Sequence, residues 1–105
     1  MKKIQVAHSP DSDDAFMFYA LAKNKIDTKD LEFTHILSDI ETLNQKAGKG
    51  EYEVSAISIH NYPYVSDKYI LLPTGCSMGD RYGPMIVSAE DMSEEELSSS
   101  TVAVP

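Results

Sequence analysis

The sequence predicts an α/β fold in which a mostly parallel sheet is covered by helices on both faces. Short strand patterns and helical patterns alternate in the order β-α-β-α-β up to Ile57, with short loops between them. A polar loop follows each of the first three strand patterns, beginning at Ser9, Ser38 and Ser58. Parallel strands place such loops at one edge of the sheet, where ligands bind in open α/β folds. The pattern therefore predicts both the fold class and the place of a site.

The first β-α unit has the clearest pattern. Lys3–His8 is predicted to be a buried strand, and Asp13–Asn24 is predicted to be a helix. The helix prediction rests on apolar residues that recur at helical spacing from Phe16 to Leu21. Ser12 precedes this helix and is expected to be its N-cap.

The rest of the chain is divided by serine, glycine and proline signals. Capping boxes, in which glutamate follows serine by three residues, predict helix starts at Ser38 and Ser93. Glycines at 48 and 50 predict the end of the second helix. The remaining predicted elements are a strand Leu31–Leu37, a helix Asp39–Ala47, a strand Tyr52–Ile57, a short helix Ser58–Ser66 broken by Pro63, a strand Tyr69–Leu72, a loop Pro73–Gly83, a strand Pro84–Ser88 and a terminal strand from Thr101.

Composition restricts the class of protein and of partner. The chain has 105 residues, about one small domain, and a formal net charge of −8 from 17 acidic and 9 basic residues. This balance argues against a nucleic-acid partner, which would need clustered lysine and arginine. The single cysteine, Cys76, cannot form an internal disulfide and favours the cytoplasm. No segment approaches the roughly 18 apolar residues of a membrane span, so no membrane partner is expected.

The chain ends within a strand pattern. Thr101–Pro105 has the composition of a strand that is just beginning, and no partner strand follows it. We therefore expect the sequence to be a piece of a longer protein.

The Ser9–Asp14 segment is the first candidate ligand contact. A helix N-terminus favours an anionic ligand group, although the aspartates of this segment partly cancel its field. Helix capping alone would explain Ser12, Asp13 and Asp14. A turn would equally explain Ser9 to Asp11, so ligand binding and local structure both remain open for this segment.

Other candidates are weaker when they are judged by the residues alone. Ser58 is placed to contact a ligand or simply to cap the next helix. His8 is better placed for chemistry than His35 or His60, but a histidine without an orienting carboxylate is weak support for catalysis. The glycine loop from Gly75 has neither Walker nor dinucleotide spacing, and it would suit a cleft wall or a hinge. No pair of cysteines or histidines has metal-ligand spacing, and the carboxylates of Asp11, Asp13 and Asp14, which could take a hard cation, lack EF-hand spacing.

Several of these motifs, read together, resemble the 1,4-dihydroxy-6-naphthoate synthase family of the futalosine route to menaquinone. The resemblance covers nearly the whole chain in order. It departs from the family at Asp11–Asp13, where family members often have Cys-Pro-Asn. The matching segments are Ser9-Pro10-x-x-x-Asp14-x-Phe16-x-Phe18-Tyr19-Ala20-Leu21, Asp39–Asn44, Ser58 with Tyr62, Asp67-Lys68-Tyr69, Gly75-x-x-x-Gly79-x-x-x-Gly83-Pro84 and Val102–Pro105.

The resemblance implies a two-lobed fold similar to type II periplasmic binding proteins. Residues 1–88 would be the first pass through lobe one, and residues 89–105 would cross to a second lobe. The implied reaction is a lyase step, without metal or organic cofactor, that splits cyclic dehypoxanthine futalosine to release the naphthoate. The catalytic base would lie beyond Pro105, so no residue of this chain is expected to be catalytic. The implied contacts to a small anionic substrate are Ser9, Ser58, Ser77, Gly79, Tyr82 and Gly83.

Three alternatives remain at this point. One is a non-catalytic solute-binding protein of the same fold, which a signal peptide or lipid-anchored cysteine would favour. A second is the sibling chorismate dehydratase family, whose opening motif is less similar to this one. The third is an acidic α/β module for protein contacts, which would expose a large apolar patch in place of a polar cleft.

Overall fold

A three-stranded parallel sheet forms the centre of the molecule. The computed structural model describes residues 1–104, and in it β1 (Lys2–His8) lies between β2 (Leu31–Leu37) and β3 (Val54–Ser55). The register pairs Lys2 with Leu31 and His8 with Leu37, while Ala7 pairs with Ser55. The predicted α/β class and parallel pairing are confirmed.

Helices cover opposite faces of this sheet, as predicted. Successive residues of a strand point to opposite faces, so the side chains of Ala7 and His8 lie on different faces of the sheet. The His8 ring stacks on Phe18 of α1 (Ser12–Ala22), with 4.2 Å between the ring centroids. Ala7 packs with Leu43 of α2 (Ile40–Gly48) on the other face. Because both side chains belong to β1, this strand is enclosed on two sides.

The core is small and lies mostly on the α2 side of the sheet. Leu43 and Ala7 are fully buried, and Tyr52 completes the buried cluster. The Tyr52 hydroxyl accepts a hydrogen bond of 2.8 Å from Lys46 Nζ, so the polar end of the ring is also paired. This core fixes α2 against β1 and thereby fixes the position of the loop that leads into β3.

Two predicted helix caps are wrong by one residue, and the third is correct. Asp11, rather than Ser12, is the N-cap of α1. Asp39, rather than Ser38, caps α2, and its side chain accepts a 2.9 Å hydrogen bond from the Thr42 backbone. Ser38 is unavailable as a cap because its backbone N–H continues the sheet pairing to the His8 carbonyl. The capping box of α3 (Glu94–Ser98) forms as predicted, with reciprocal bonds between Ser93 and Glu96.

The strands predicted at Tyr69–Leu72, Pro84–Ser88 and from Thr101 are absent from the part of the chain that the structure describes. A strand needs a neighbour to take up its backbone hydrogen bonds, and residues 1–104 offer these segments none. Their large apolar side chains are accordingly exposed, as at Ile70 and Val87. Within residues 1–104 these three strand predictions were wrong, because apolar composition does not make a strand without a pairing partner; Pro105, the last residue of the third, lies outside the described residues.

The third strand is shorter than predicted, and the helix after it is tighter. β3 contains only Val54 and Ser55, although the Ala56 backbone N–H extends the pairing to the Ala7 carbonyl. Before β3, the Glu53 side chain accepts a 2.8 Å hydrogen bond from the Gln5 backbone and takes the place of a ladder bond. The predicted helix at Ser58–Ser66 is a 3₁₀ helix over Ile59–Tyr64 that contains Pro63. No helix among residues 1–104 has the length and apolar character to cross a membrane.

Candidate functional site

The candidate site lies at the carboxyl edge of the sheet, between the ends of β1 and β3. The chain passes from β1 to β2 on one side and then to β3 on the other, so the connections diverge at this point. A crevice opens at such a switch point because the loops that follow the two strands turn in opposite directions. Here those loops begin at Ser9 and at Ala56.

The loop after β1 is held by its own polar groups. The Ser9 backbone N–H donates a 2.7 Å hydrogen bond to Asp14 Oδ2, and the Asp11 backbone N–H donates a 3.1 Å bond to Ser9 Oγ. Ser9 is 9% exposed. Because Ser9 Oγ is the acceptor in the bond from Asp11, the hydroxyl still has its own hydrogen to donate. A turn and a ligand contact are therefore compatible in this loop, because the turn uses the Ser9 hydroxyl only as a hydrogen-bond acceptor.

The loop after β3 is held by an asparagine of α2. Asn44 Oδ1 accepts a 2.9 Å hydrogen bond from the Ser58 backbone N–H, and Asn44 Nδ2 donates a 3.0 Å bond to Ser58 Oγ. Ser58 precedes the 3₁₀ helix in the N-cap position, but its side chain makes no capping hydrogen bond. The capping explanation for Ser58 therefore fails. Its hydroxyl is an acceptor for Asn44 and keeps its own hydrogen available.

A partly buried contact between two histidines lies beneath the Ser9 loop. His8 Nε2 lies 2.9 Å from His35 Nδ1, and His8 Nδ1 lies 3.0 Å from the Ser9 carbonyl oxygen and 4.0 Å from Asp14 Oδ2. Burial, together with the neighbouring His8, lowers the pKa of His35 below its usual value. A carboxylate near His8 was not predicted from the sequence, and in the structure Asp14 is that carboxylate.

The glycine loop meets the site region at one point. Ser77 Oγ donates a 2.8 Å hydrogen bond to Asp13 Oδ2 in the first turn of α1. A shallow recess of about 320 Å³ lies there, and Phe16, Met17 and Cys76 contribute to its lining.

The other predicted contacts of this loop remain exposed. Gly79, Tyr82 and Gly83 are all exposed, and within residues 1–104 no hydrogen bond joins them to Ser9 or Ser58. The Tyr82 ring covers Gly79, where an added Cβ would lie 3.1 Å from Tyr82 Cζ. A side chain at position 79 would therefore displace the ring. Among residues 1–104, no group of three or more His, Cys, Asp and Glu side chains is placed to hold a metal ion.

Asn44 belongs to the matching segment Asp39–Asn44 but was not among the predicted contacts, and no sequence pattern connected Asp13 with Ser77. Asn44 directly follows the fully buried Leu43, so it lies at the border of the buried face of α2. A polar residue at such a border, on the helix that enters the site, is a usable signal for a positioning role. The Asp13–Ser77 bond spans 64 residues and had no sequence signal.

Comparison with known proteins gives the same family for the whole chain. Residues 4–105 match the family model described as "Menaquinone biosynthesis". A Streptomyces coelicolor protein named 1,4-dihydroxy-6-naphthoate synthase is 37% identical over 97% of this chain and 35% of its own length. A Thermus thermophilus protein of the same name is 31% identical over 100% of this chain and 38% of its own length.

A solved structure agrees with the fold. The X-ray crystal structure of an Archaeoglobus fulgidus protein superposes with a TM-score of 0.76 and 58% sequence identity, over 80% of this chain and 31% of that chain. The chain spans little more than a third of the length of the curated relatives it matches. The agreement of the family model with both curated relatives confirms the resemblance found from the motifs. The chain belongs to the menaquinone biosynthesis family.

Proposed function

We propose that this chain is part of a 1,4-dihydroxy-6-naphthoate synthase and supplies substrate contacts from the carboxyl edge of its sheet. The enzyme would be a lyase that splits cyclic dehypoxanthine futalosine and releases 1,4-dihydroxy-6-naphthoate. The family match over residues 4–105 and the names of both curated relatives support this reaction. The full activity is a property of a longer protein, since the relatives are almost three times as long as the matched region.

The pairing of Ser58 with Asn44 is the observation that carries the binding role. Because Ser58 Oγ accepts from Asn44 Nδ2, the serine hydroxyl is left as a donor. A hydroxyl donor at the carboxyl edge of a parallel sheet suits an anionic group such as a carboxylate. The Ser9 hydroxyl has the same character, since it accepts from the Asp11 backbone. Two donors fixed at one sheet edge favour a small anionic substrate.

The glycine loop would form the outer wall of the same cleft. Ser77, held at the start of α1 by Asp13, would contact the sugar portion of the substrate. Gly79, Tyr82 and Gly83 would follow it along the substrate, with the exposed Tyr82 ring free to turn toward a ligand. In this proposal the loop closes over the substrate from the side opposite Ser58.

The rest of the enzyme would provide the chemistry. We propose a two-lobed arrangement in which residues 1–88 belong to lobe one and residues 89–105 lead toward a second lobe. The catalytic base would come from that second lobe, and the residues described above would bind and orient. We further propose the cytoplasm as its compartment, because Cys76 is a free exposed thiol of the kind that a reducing environment preserves.

A turnover assay with product identification tests the proposal. Full-length protein is incubated with cyclic dehypoxanthine futalosine, and naphthoate release is followed by chromatography and mass spectrometry. Release of 1,4-dihydroxy-6-naphthoate is the expected result. Loss of water from chorismate by the same preparation would assign the protein to the sibling dehydratase. Tight binding of the futalosine compound without turnover would indicate a solute-binding protein and contradict the lyase.

A further inference from the structure

The His8–His35 contact has a hydrogen-bond order that can be deduced from its geometry. The Ser9 carbonyl oxygen can only accept, so His8 Nδ1, 3.0 Å away, carries a hydrogen. In a neutral His8 ring the Nε2 atom must then accept. Its partner, His35 Nδ1 at 2.9 Å, must donate, which leaves His35 Nε2 without a hydrogen. That buried Nε2 atom has no hydrogen-bond partner within residues 1–104.

Addition of one proton reverses this order without breaking any contact. The incoming proton binds His35 Nε2, and the hydrogen on His35 Nδ1 moves across the 2.9 Å contact to His8 Nε2. His8 then carries both hydrogens and the positive charge, while His35 remains neutral as the other tautomer. A second proton would place two hydrogens between the same two nitrogen atoms and two positive rings in contact, so it is strongly disfavoured.

The surroundings favour His8 as the charged ring. Asp14 Oδ2 is 4.0 Å from His8 Nδ1, and among residues 1–104 no other carboxylate group lies within 4.0 Å of a ring nitrogen of either histidine. The Phe18 ring stacks on His8 from α1. The register pairs His35 with Val6, Val6 in turn with Val54 of β3, and His8 with Leu37, and all three of these neighbours are apolar. Burial and the charge on His8 together keep the pKa of His35 low.

We propose that His8 and His35 bind a single proton between them and that its charge tightens the Ser9 loop. Charged His8 donates a stronger hydrogen bond to the Ser9 carbonyl and attracts the Asp14 carboxylate. The same Asp14 oxygen accepts from the Ser9 backbone N–H at 2.7 Å, so both sides of Ser9 respond to the proton. His8 is thus a positioning residue for the loop, and His35 acts through His8.

One consequence rests on the proposed function. A positive charge on His8 lies behind the loop where the anionic substrate group would bind, so the KM should fall as the pH falls from about 8 to about 5. The proton site itself does not depend on any substrate.

Nitrogen NMR of the full-length protein with ¹⁵N-labelled histidine tests the proton site directly. Titration from about pH 8 to about pH 5 covers the range in which histidines change charge. We expect His8 to become charged while His35 changes from the Nδ1–H to the Nε2–H tautomer and stays neutral. The Ser9 amide resonance should move with the same midpoint. Independent charging of both rings, an unchanged His35 tautomer or a Ser9 resonance that does not follow His8 would each overturn the proposal.

Substitutions separate this site from general effects of pH. In His35→Phe both forms of His8 lose their hydrogen bond at Nε2, but the bond of the charged form is the stronger, so the proton affinity of His8 should fall about threefold to tenfold. The exposed His60 provides the matched control, and His60→Phe should leave His8 and Ser9 unchanged. An equal proton affinity in wild type and His35→Phe would also overturn the proposal. Failure of the turnover assay would remove the proposed function and leave these NMR results as they are.

Discussion

Asn44 holds Ser58 with both ends of its amide, through bonds of 2.9 Å to the serine backbone N–H and 3.0 Å to the serine hydroxyl. The two bonds fix the loop after β3 and the rotation of the Ser58 side chain at the same time. Because the hydroxyl is used as an acceptor, the bond to Asn44 also determines which way its hydrogen points. α2 thereby connects the hydrophobic core, through Leu43, to the edge where a ligand would bind.

Asn44→Asp should weaken substrate binding more than its small change in size suggests. The carboxylate can still accept from the Ser58 backbone, but it cannot donate to the hydroxyl, which would turn its hydrogen inward. We expect the KM of the full-length enzyme to rise about tenfold to a hundredfold, the effect of losing a hydrogen bond to a charged ligand group, with a smaller change in kcat.

Ser58→Ala provides the comparison for Asn44→Asp. It removes the donor itself and should raise the KM by a similar factor. If Ser58→Ala left the KM unchanged while Asn44→Asp raised it, the introduced negative charge would explain the effect of Asn44→Asp. Ser58 would then not be a substrate contact.

Leu43→Ala should destabilise the fold without a specific effect at the site. Leu43 of α2 is fully buried against β1, and Leu-to-Ala changes at such positions lower the free energy of unfolding by about 2–5 kcal/mol. Chemical denaturation of the full-length protein measures this loss. Ile26→Ala removes the same number of carbon atoms from a half-exposed position and should cost far less. Equal losses for the two variants would mean that the buried cluster is not the core.

Asp39 should make the stability of α2 depend on pH in acid. Its hydrogen bonds with the backbone and side chain of Thr42 lower the pKa of Asp39 below the ordinary value of 3.8. A carboxyl group with a lowered pKa stabilises the fold above its unfolded value, and the contribution is lost as the pH falls through the folded value.

Asp39→Asn keeps the capping geometry but cannot titrate. The stability advantage of wild type over Asp39→Asn, measured by urea denaturation, should therefore be present at neutral pH and decline as the pH falls below 3.8. A difference that stayed constant through this range would show that the Asp39 charge contributes nothing to α2.

The Ser77–Asp13 bond should restrain the loop that carries Arg81. Ser77 Oγ lies 2.8 Å from Asp13 Oδ2, and the exposed Arg81 is four residues further along the chain. Asp13→Ala should therefore increase the rate of tryptic cleavage after Arg81. Asp30→Ala changes an exposed aspartate elsewhere and serves as the control. Equal cleavage rates in the two variants would exclude a restraint by Asp13.

Local sequence patterns predicted the parts of the fold that depend on local chemistry. The alternation of strands and helices, the Ser93 capping box and the end of α2 at the glycines were all visible in the sequence. The cap of α2 was placed at Ser38 because the capping-box pattern ignores pairing, and in the structure the Ser38 backbone belongs to the sheet edge. The segment Tyr69–Leu72 was misread for the same reason, since strand formation depends on a neighbour and not on composition alone.

The site was predictable only in part. The position of Ser9 and Ser58 at one sheet edge follows from the parallel order of the strands. The Asn44 bonds and the His8–His35 contact depend on register and helix rotation, which a single sequence does not specify. His35 of β2 lies opposite Val6 of β1, and Val6 is two residues before His8 on the same strand. The two histidine rings therefore lie on one face of the sheet, which can be deduced only when the register is known.

The most direct test of a substrate contact at Ser58 is a crystal structure of the full-length protein with 1,4-dihydroxy-6-naphthoate bound. We predict that a carboxylate oxygen of the product lies about 2.5–3.0 Å from Ser58 Oγ, with the Asn44 bonds intact. Product bound away from the carboxyl edge of the sheet, or bound there with Ser58 turned aside, would contradict the account.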